Sequence, residues 1–162
     1  MELVFTKGAG KYDLLTLRRP GRQDETIDCP KQRIIPHDMV HHAVETVLDA
    51  RGFLGRVAVG EDADFRMNAE SESDGVERLV EVFQGDGWSG GNATPEEMID
   101  LYRVTCTARS CPMLAIDAAT MLTIRARIAA LTDAWGAIPI GGSLTLAFSA
   151  HRPEPEKSVT PQ

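Results

Sequence analysis

The chain opens on short runs in which apolar and polar positions alternate. Glu2–Thr6, "ELVFT", is rich in β-favouring residues and is followed by the turn "KGAGK". Residues 12–19, "YDLLTLRR", alternate in part and end at the Pro20-Gly21 turn signal. Residues 24–29, "DETIDC", read as a third strand, stopped by Pro30. Connections this short join antiparallel neighbours, so hairpins are expected.

The period then changes from two to near four. Pro36 disfavours the helical region at Ile35 and suits the first position of a helix, with Asp38 in the first turn, where negative charge complements the dipole. This helix is expected to run to about Ala50 and to stop before Gly52. Residues 52–60, "GFLGRVAVG", fit a short helix or a strand, with helix preferred, and 61–70 read as a loop. Ser71-x-x-Asp74 resembles a capping box, with Asp in place of Glu, ahead of a one-faced helix carrying Val76, Leu79, Val80 and Phe83. "QGDGWSGGNA", residues 84–93, reads as a glycine-rich loop with Trp88 at its centre. Thr94-Pro95-Glu96-Glu97 is a strong helix start, and that helix should end near Ser110. Met121, Ile124, Ile128, Leu131 and Trp135 form the stripe of a further helix closed by Gly136, and 143–149, "SLTLAFS", read as a last strand.

Strands, then helices, then one strand point to an α+β fold. A small antiparallel sheet, formed by the N-terminal strands and the C-terminal one, is expected to pack against a layer of about four helices. One domain over 1–150 accounts for the pattern. The polar, Pro-rich residues 151–162 are expected to be a disordered tail.

Charge sharpens the picture. The net charge of −7 is concentrated in residues 37–103, where five basic groups face fifteen acidic ones. That acidic middle, without a basic stripe, argues against a nucleic-acid partner and fits a cation site or simple solubility. No stretch reaches the roughly 20 apolar residues that cross a bilayer, so no membrane partner is expected. The N-terminal residues lack the pattern of a secretory signal, and three unpatterned cysteines, Cys29, Cys106 and Cys111, suit free thiols. Both features lead to a cytoplasmic expectation.

Candidate chemistry concentrates in "RIIPHDMVHHAVETVL", residues 33–48, which holds three of the four histidines. On a helical wheel with His37 at 0°, the apolar Met39, Val40, Ala43, Val44, Val47 and Leu48 fall between about 200° and 20°. His41 lies at about 40° and Glu45 at about 80°, so with His37 they form one ridge at the border of the core, while His42, at about 140°, points away from it. Two imidazoles one turn apart can hold one metal ion, the arrangement used by H-E-x-x-H. Here the motif is H-D-x-x-H. His37 and His41 are the candidate ligands for Zn²⁺ or another divalent metal. Glu45 or a carboxylate from 61–86 would complete the set, and Asp38 is the candidate catalytic group that orients a water or a histidine. Two other readings stand beside this one: a half-buried border helix facing a partner, and acid–base use of a histidine without metal.

Pro36, His37, Asp38, His41, Val44 and Glu45, after a short N-terminal sheet, resemble a small bacterial family of uncharacterised hypothetical proteins. That resemblance implies no activity. Other features are weaker. The 84–93 loop lacks the Lys of a phosphate-binding loop, although Trp88 on it suits a lid over a small-molecule pocket. Glu61, Asp62 and Asp64 lack the spacing of a calcium loop and read as a solvated turn. Ser89, Ser143 and His151 show no nucleophile context. The sequence therefore leads first to a binding or interaction module that can self-associate as a homodimer. The alternative is a metal-dependent, hydrolase-like enzyme on the first helix.

Overall fold

The computed structural model describes residues 1–63 and 68–150. The strand expectations hold closely. β1 (Glu2–Thr6), β2 (Tyr12–Arg18) and β3 (Glu25–Pro30) form successive antiparallel hairpins, and β4 (Ser143–Ala147) returns to the free side of β1. The sheet order is β3-β2-β1-β4. Alternation along the strands sends Leu3, Phe5, Leu15, Leu17 and Cys29 into the core, while Thr16, Thr26 and Thr145 sit on the other face.

The described residues form five helices beside this sheet: α1 (His37–Leu48), α2 (Phe53–Ala58), α3 (Ser71–Trp88), α4 (Pro95–Arg109) and α5 (Ala118–Gly136). The fold is α+β, as the order of periodicities indicates. α1 is central. It packs against α2, α3 and α5, and its Met39, Val40, Ala43 and Val44 are buried. It ends at Asp49, which adopts a left-handed conformation (φ 50°) while the next N–H, of Ala50, returns to the Glu45 carbonyl.

Several local expectations are corrected. Pro36 is the residue before α1 rather than its first member. Ser71 lies inside α3, whose cap is Glu70, because the Asp74 N–H bonds the Glu70 carbonyl in ordinary helical fashion; no side chain caps this end. The Thr94 capping box, by contrast, forms in full with Glu97.

The largest correction concerns the glycine-rich stretch. α3 continues through Gly85 and Gly87 to Trp88 because tertiary bonds hold its last turn. Arg125 of α5 grips Asp86 through two nitrogens at 3.0 and 3.1 Å, and the Trp88 indole N–H donates to the Gln32 carbonyl at 2.7 Å. Trp88 is thus a tethered helix end rather than the centre of a lid. In the solvated segment after α2, Glu61 and Asp62 also form ion pairs, with Arg51, Arg56 and Arg22. Asp64, His151 and the whole 151–162 segment lie outside the described residues. Among the described residues, no helix is long and apolar enough to cross a membrane.

Candidate metal centre

The first two turns of α1 and the middle of α3 place three donor groups together. His37 and His41, four residues apart, present their Nε2 atoms 3.1 Å from each other. Glu77 of α3 reaches both, with Oε2 2.8 Å from His41 Nε2 and Oε1 3.4 Å from His37 Nε2. One ligand atom from each of the three falls within a group no more than 4.8 Å across. At metal–ligand bonds of about 2.0–2.1 Å, neighbouring donors of a tetrahedron lie about 3.3 Å apart. The two histidine nitrogens, 3.1 Å apart, lie close to that edge, and each is approached by a different oxygen of Glu77.

Glu45 stands on the other side of the His41 ring. Its Oε1 accepts from His41 Nδ1–H at 2.9 Å and from the Leu54 N–H at 3.0 Å. Its Oε2 accepts from the N–H groups of Gly52 (3.1 Å) and Gly55 (2.8 Å). Of the sequence candidates, then, His37 and His41 are brought together with Glu77, while Glu45 faces the start of α2 and fixes the His41 tautomer. A carboxylate that orients a histidine through its far nitrogen is the usual companion of a metal-bound imidazole. Glu77 falls within the 61–86 span but has no motif of its own. Its signal is visible only once α3 is laid beside α1.

The electrostatics describe an anionic nest around a cation. Burial pushes His41 down, but hydrogen bonds and charge from Glu45 and Glu77 outweigh it and carry its pKa up to about 10. Burial acts to raise the Glu77 carboxyl, but the bonds to His37 and His41 win and hold it well below the usual carboxylate range. A proton on His41 Nε2 and a metal ion would occupy the same position, so the two compete. Asp38 is half-buried on the β3 side of α1. Burial raises its pKa, opposed by His41 and His37, and it accepts a weak bond from the Cys29 thiol at 3.8 Å. That thiol is itself pushed up to about 12, first by burial and then by Asp38.

His42 corrects the helical wheel. Rather than facing solvent it is 1% exposed, and its Nε2 donates to the Ala147 carbonyl at the end of β4 at 2.9 Å, with the Phe148 ring beside it. Burial lowers its pKa. The wheel assumed one wet side for α1, and the chain covers that side as well.

His37, His41, Asp38 and Glu77 open onto a cavity of about 630 Å³ between α1 and the β3 edge, walled by Ile27, Cys29, Pro30 and Phe53. This is the size of a small-molecule site. No protein-family model matches the chain, and neither a curated protein nor a solved structure does.

Proposed function

We propose that this protein is a divalent-metal-dependent enzyme of hydrolytic type. His37, His41 and Glu77 serve as the protein ligands, Glu45 orients His41, and Asp38 handles a proton at the cavity floor. The observation that carries the reading is the convergence of one donor atom each from His37, His41 and Glu77, within 4.8 Å of one another, on the wall of a cavity large enough for a substrate. Two histidines and a glutamate leave one position of a four-coordinate zinc ion for water or substrate, and a metal in such a site makes water acidic enough to attack at neutral pH.

The test is metal content of protein purified without a histidine tag, and melting temperature with and without Zn²⁺. One equivalent of zinc and a raised melting temperature are expected in the parent. Both are expected to be lost in His37→Ala and Glu77→Gln, two variants at half-exposed positions where the fold can tolerate change. A parent that takes up no zinc at micromolar concentration sinks the proposal.

A second reading, self-association, is favoured by a separate feature. Leu101 and Val104 on α4 and Leu122 on α5 are large apolar side chains more than half exposed. Light scattering across a concentration series tests it: a mass fixed at one chain, 17.7 kDa, at every concentration rules it out.

A further inference from the structure

The cavity has a charge character that restricts what it can accept. Its apolar wall comes from both sides: Ile27 and Cys29 from β3, and Phe53 from the start of α2, with the exposed Tyr12 ring at its rim. Its carboxylates are Asp28, Asp38 and Glu77, and among its described lining residues there is no Lys or Arg.

Of the cations on neighbouring elements, Lys31 and Arg19 are engaged elsewhere. Lys31 Nζ bonds the Gly8 carbonyl and approaches Asp13, and Arg19 bonds the carbonyls of Val57 and Glu61 and pairs with Glu25. A divalent ion between His37, His41 and Glu77 would face the carboxylates of Glu77 and Asp38. Asp28 at the rim and Glu45 behind His41 add further negative charge. With three carboxylates among its described lining residues, the cavity disfavours an anionic substrate: a further carboxylate or a phosphate brought into it would be desolvated against like charges.

Resting on the metal-site reading above, we infer that the cavity takes uncharged small molecules with an apolar body and one oxygen donor for the metal, of the class of neutral esters and amides, and rejects phosphorylated and carboxylated compounds. The apolar body lies along Ile27 and Phe53, and the oxygen donor faces the histidines. An acid released by hydrolysis would carry the charge that this cavity disfavours, so product leaves more readily than substrate.

The experiment uses full-length, zinc-loaded protein and three hydroxamic acids that share one metal-binding head: acetohydroxamic acid, phenylpropanohydroxamic acid and its para-carboxylated analogue. Calorimetry reads the affinities, and zinc content is measured on the same samples. The phenyl compound is expected to bind about tenfold or more tightly than acetohydroxamic acid, from apolar burial. The para-carboxylate is expected to lose that gain. Tyr12→Arg, at an exposed rim position, is expected to restore binding of the carboxylate several-fold relative to the phenyl compound.

A carboxylate that binds as tightly as the phenyl compound overturns the inference, as does a phenyl group that adds nothing or an arginine that changes nothing. If zinc is bound and the order is wrong, the ligand class fails and the metal centre stands. If no zinc is bound, both fail.

Discussion

Replacing Glu45 by glutamine removes one charge and changes no volume, yet the structure makes it costly. The carboxylate accepts four hydrogen bonds, two at each oxygen: His41 and Leu54 on one side, Gly52 and Gly55 on the other. An amide accepts only through its oxygen. Its NH₂ must face either the two glycine N–H groups or Leu54 and His41, so two donors lose their acceptor in a place that is 2% exposed. A hydrogen bond to a charged group contributes about 1.5–3 kcal/mol, and an unpaired buried donor costs about 1–3 kcal/mol. His41 can recover part of the loss by changing tautomer. Glu45→Gln is therefore expected to lower stability by about 3 kcal/mol, a large share of the roughly 5–15 kcal/mol that holds a domain folded. Urea unfolding checks this as a lower midpoint at constant slope. Zinc affinity is expected to fall about 10- to 100-fold, the usual effect of losing a histidine's orienting partner. Gly52→Ala provides an independent route to the same damage, because a methyl there would lie 2.5 Å from Val76 Cγ1 and 2.6 Å from Glu45 Cδ. If both act through the anchored carboxylate, the double variant is less destabilised than the sum of the two. A Glu45→Gln protein within 1 kcal/mol of the parent refutes the reasoning.

Three further outcomes are expected. In metal-free protein, His41 holds a proton up to about pH 10 against an ordinary value of 6.5, so the stability it confers is complete below about pH 6.5 and is lost as pH rises toward 10; Glu77, shifted the other way, confers stability that is present above its ordinary 4.5 and lost as pH falls. Urea midpoints should therefore peak between those values and decline on both sides, and a midpoint that climbs steadily from pH 7 to 10 contradicts the assignment. Arg125→Ala strips the nearly buried Asp86 of its partner and is expected to cost about 2 kcal/mol, with fraying of the α3 end read as a change in tryptophan fluorescence; an unaltered spectrum and midpoint count against that anchor. Cys29 and Cys106, held protonated with pKa values raised to about 12 and about 11 by burial first, are expected to resist a thiol reagent at pH 8 in the folded protein, while the partly exposed Cys111 reacts; three equally fast thiols would be incompatible with this packing.

The elements with a strong local signal were legible from sequence. β1 and β4 begin at the residues the alternation indicates, and α4 starts at its Thr-Pro-Glu-Glu signature, because a cap and a first-position proline act within four residues. The end of α3 was not legible. Gly85 and Gly87 disfavour helix locally, and what overrides them comes from α5 through Arg125 and from the segment before α1 through Gln32, 39 and 56 residues away from their partners.

The site divides along the same line. That His37 and His41 share an edge of α1 follows from the helical repeat alone, and Asp38 follows from its place in the first turn. Glu77 and the role of Glu45 depend on how helices dock, which one-dimensional periodicity does not encode. A wheel sorts residues by angle about one axis and assigns polar residues to water. In a helix enclosed on several sides, the polar sectors instead receive partners: Glu77 for His41, the start of α2 for Glu45, the end of β4 for His42. Six of the twelve residues of α1 are polar, and three of them, His41, His42 and Glu45, are about 1–2% exposed; burying such groups without partners would cost more than their packing returns. The histidine content of α1 is thus better explained by what surrounds it than by its own amphipathicity. His37, left half exposed, turns its ring to the cavity beside Glu77, where solvent has access.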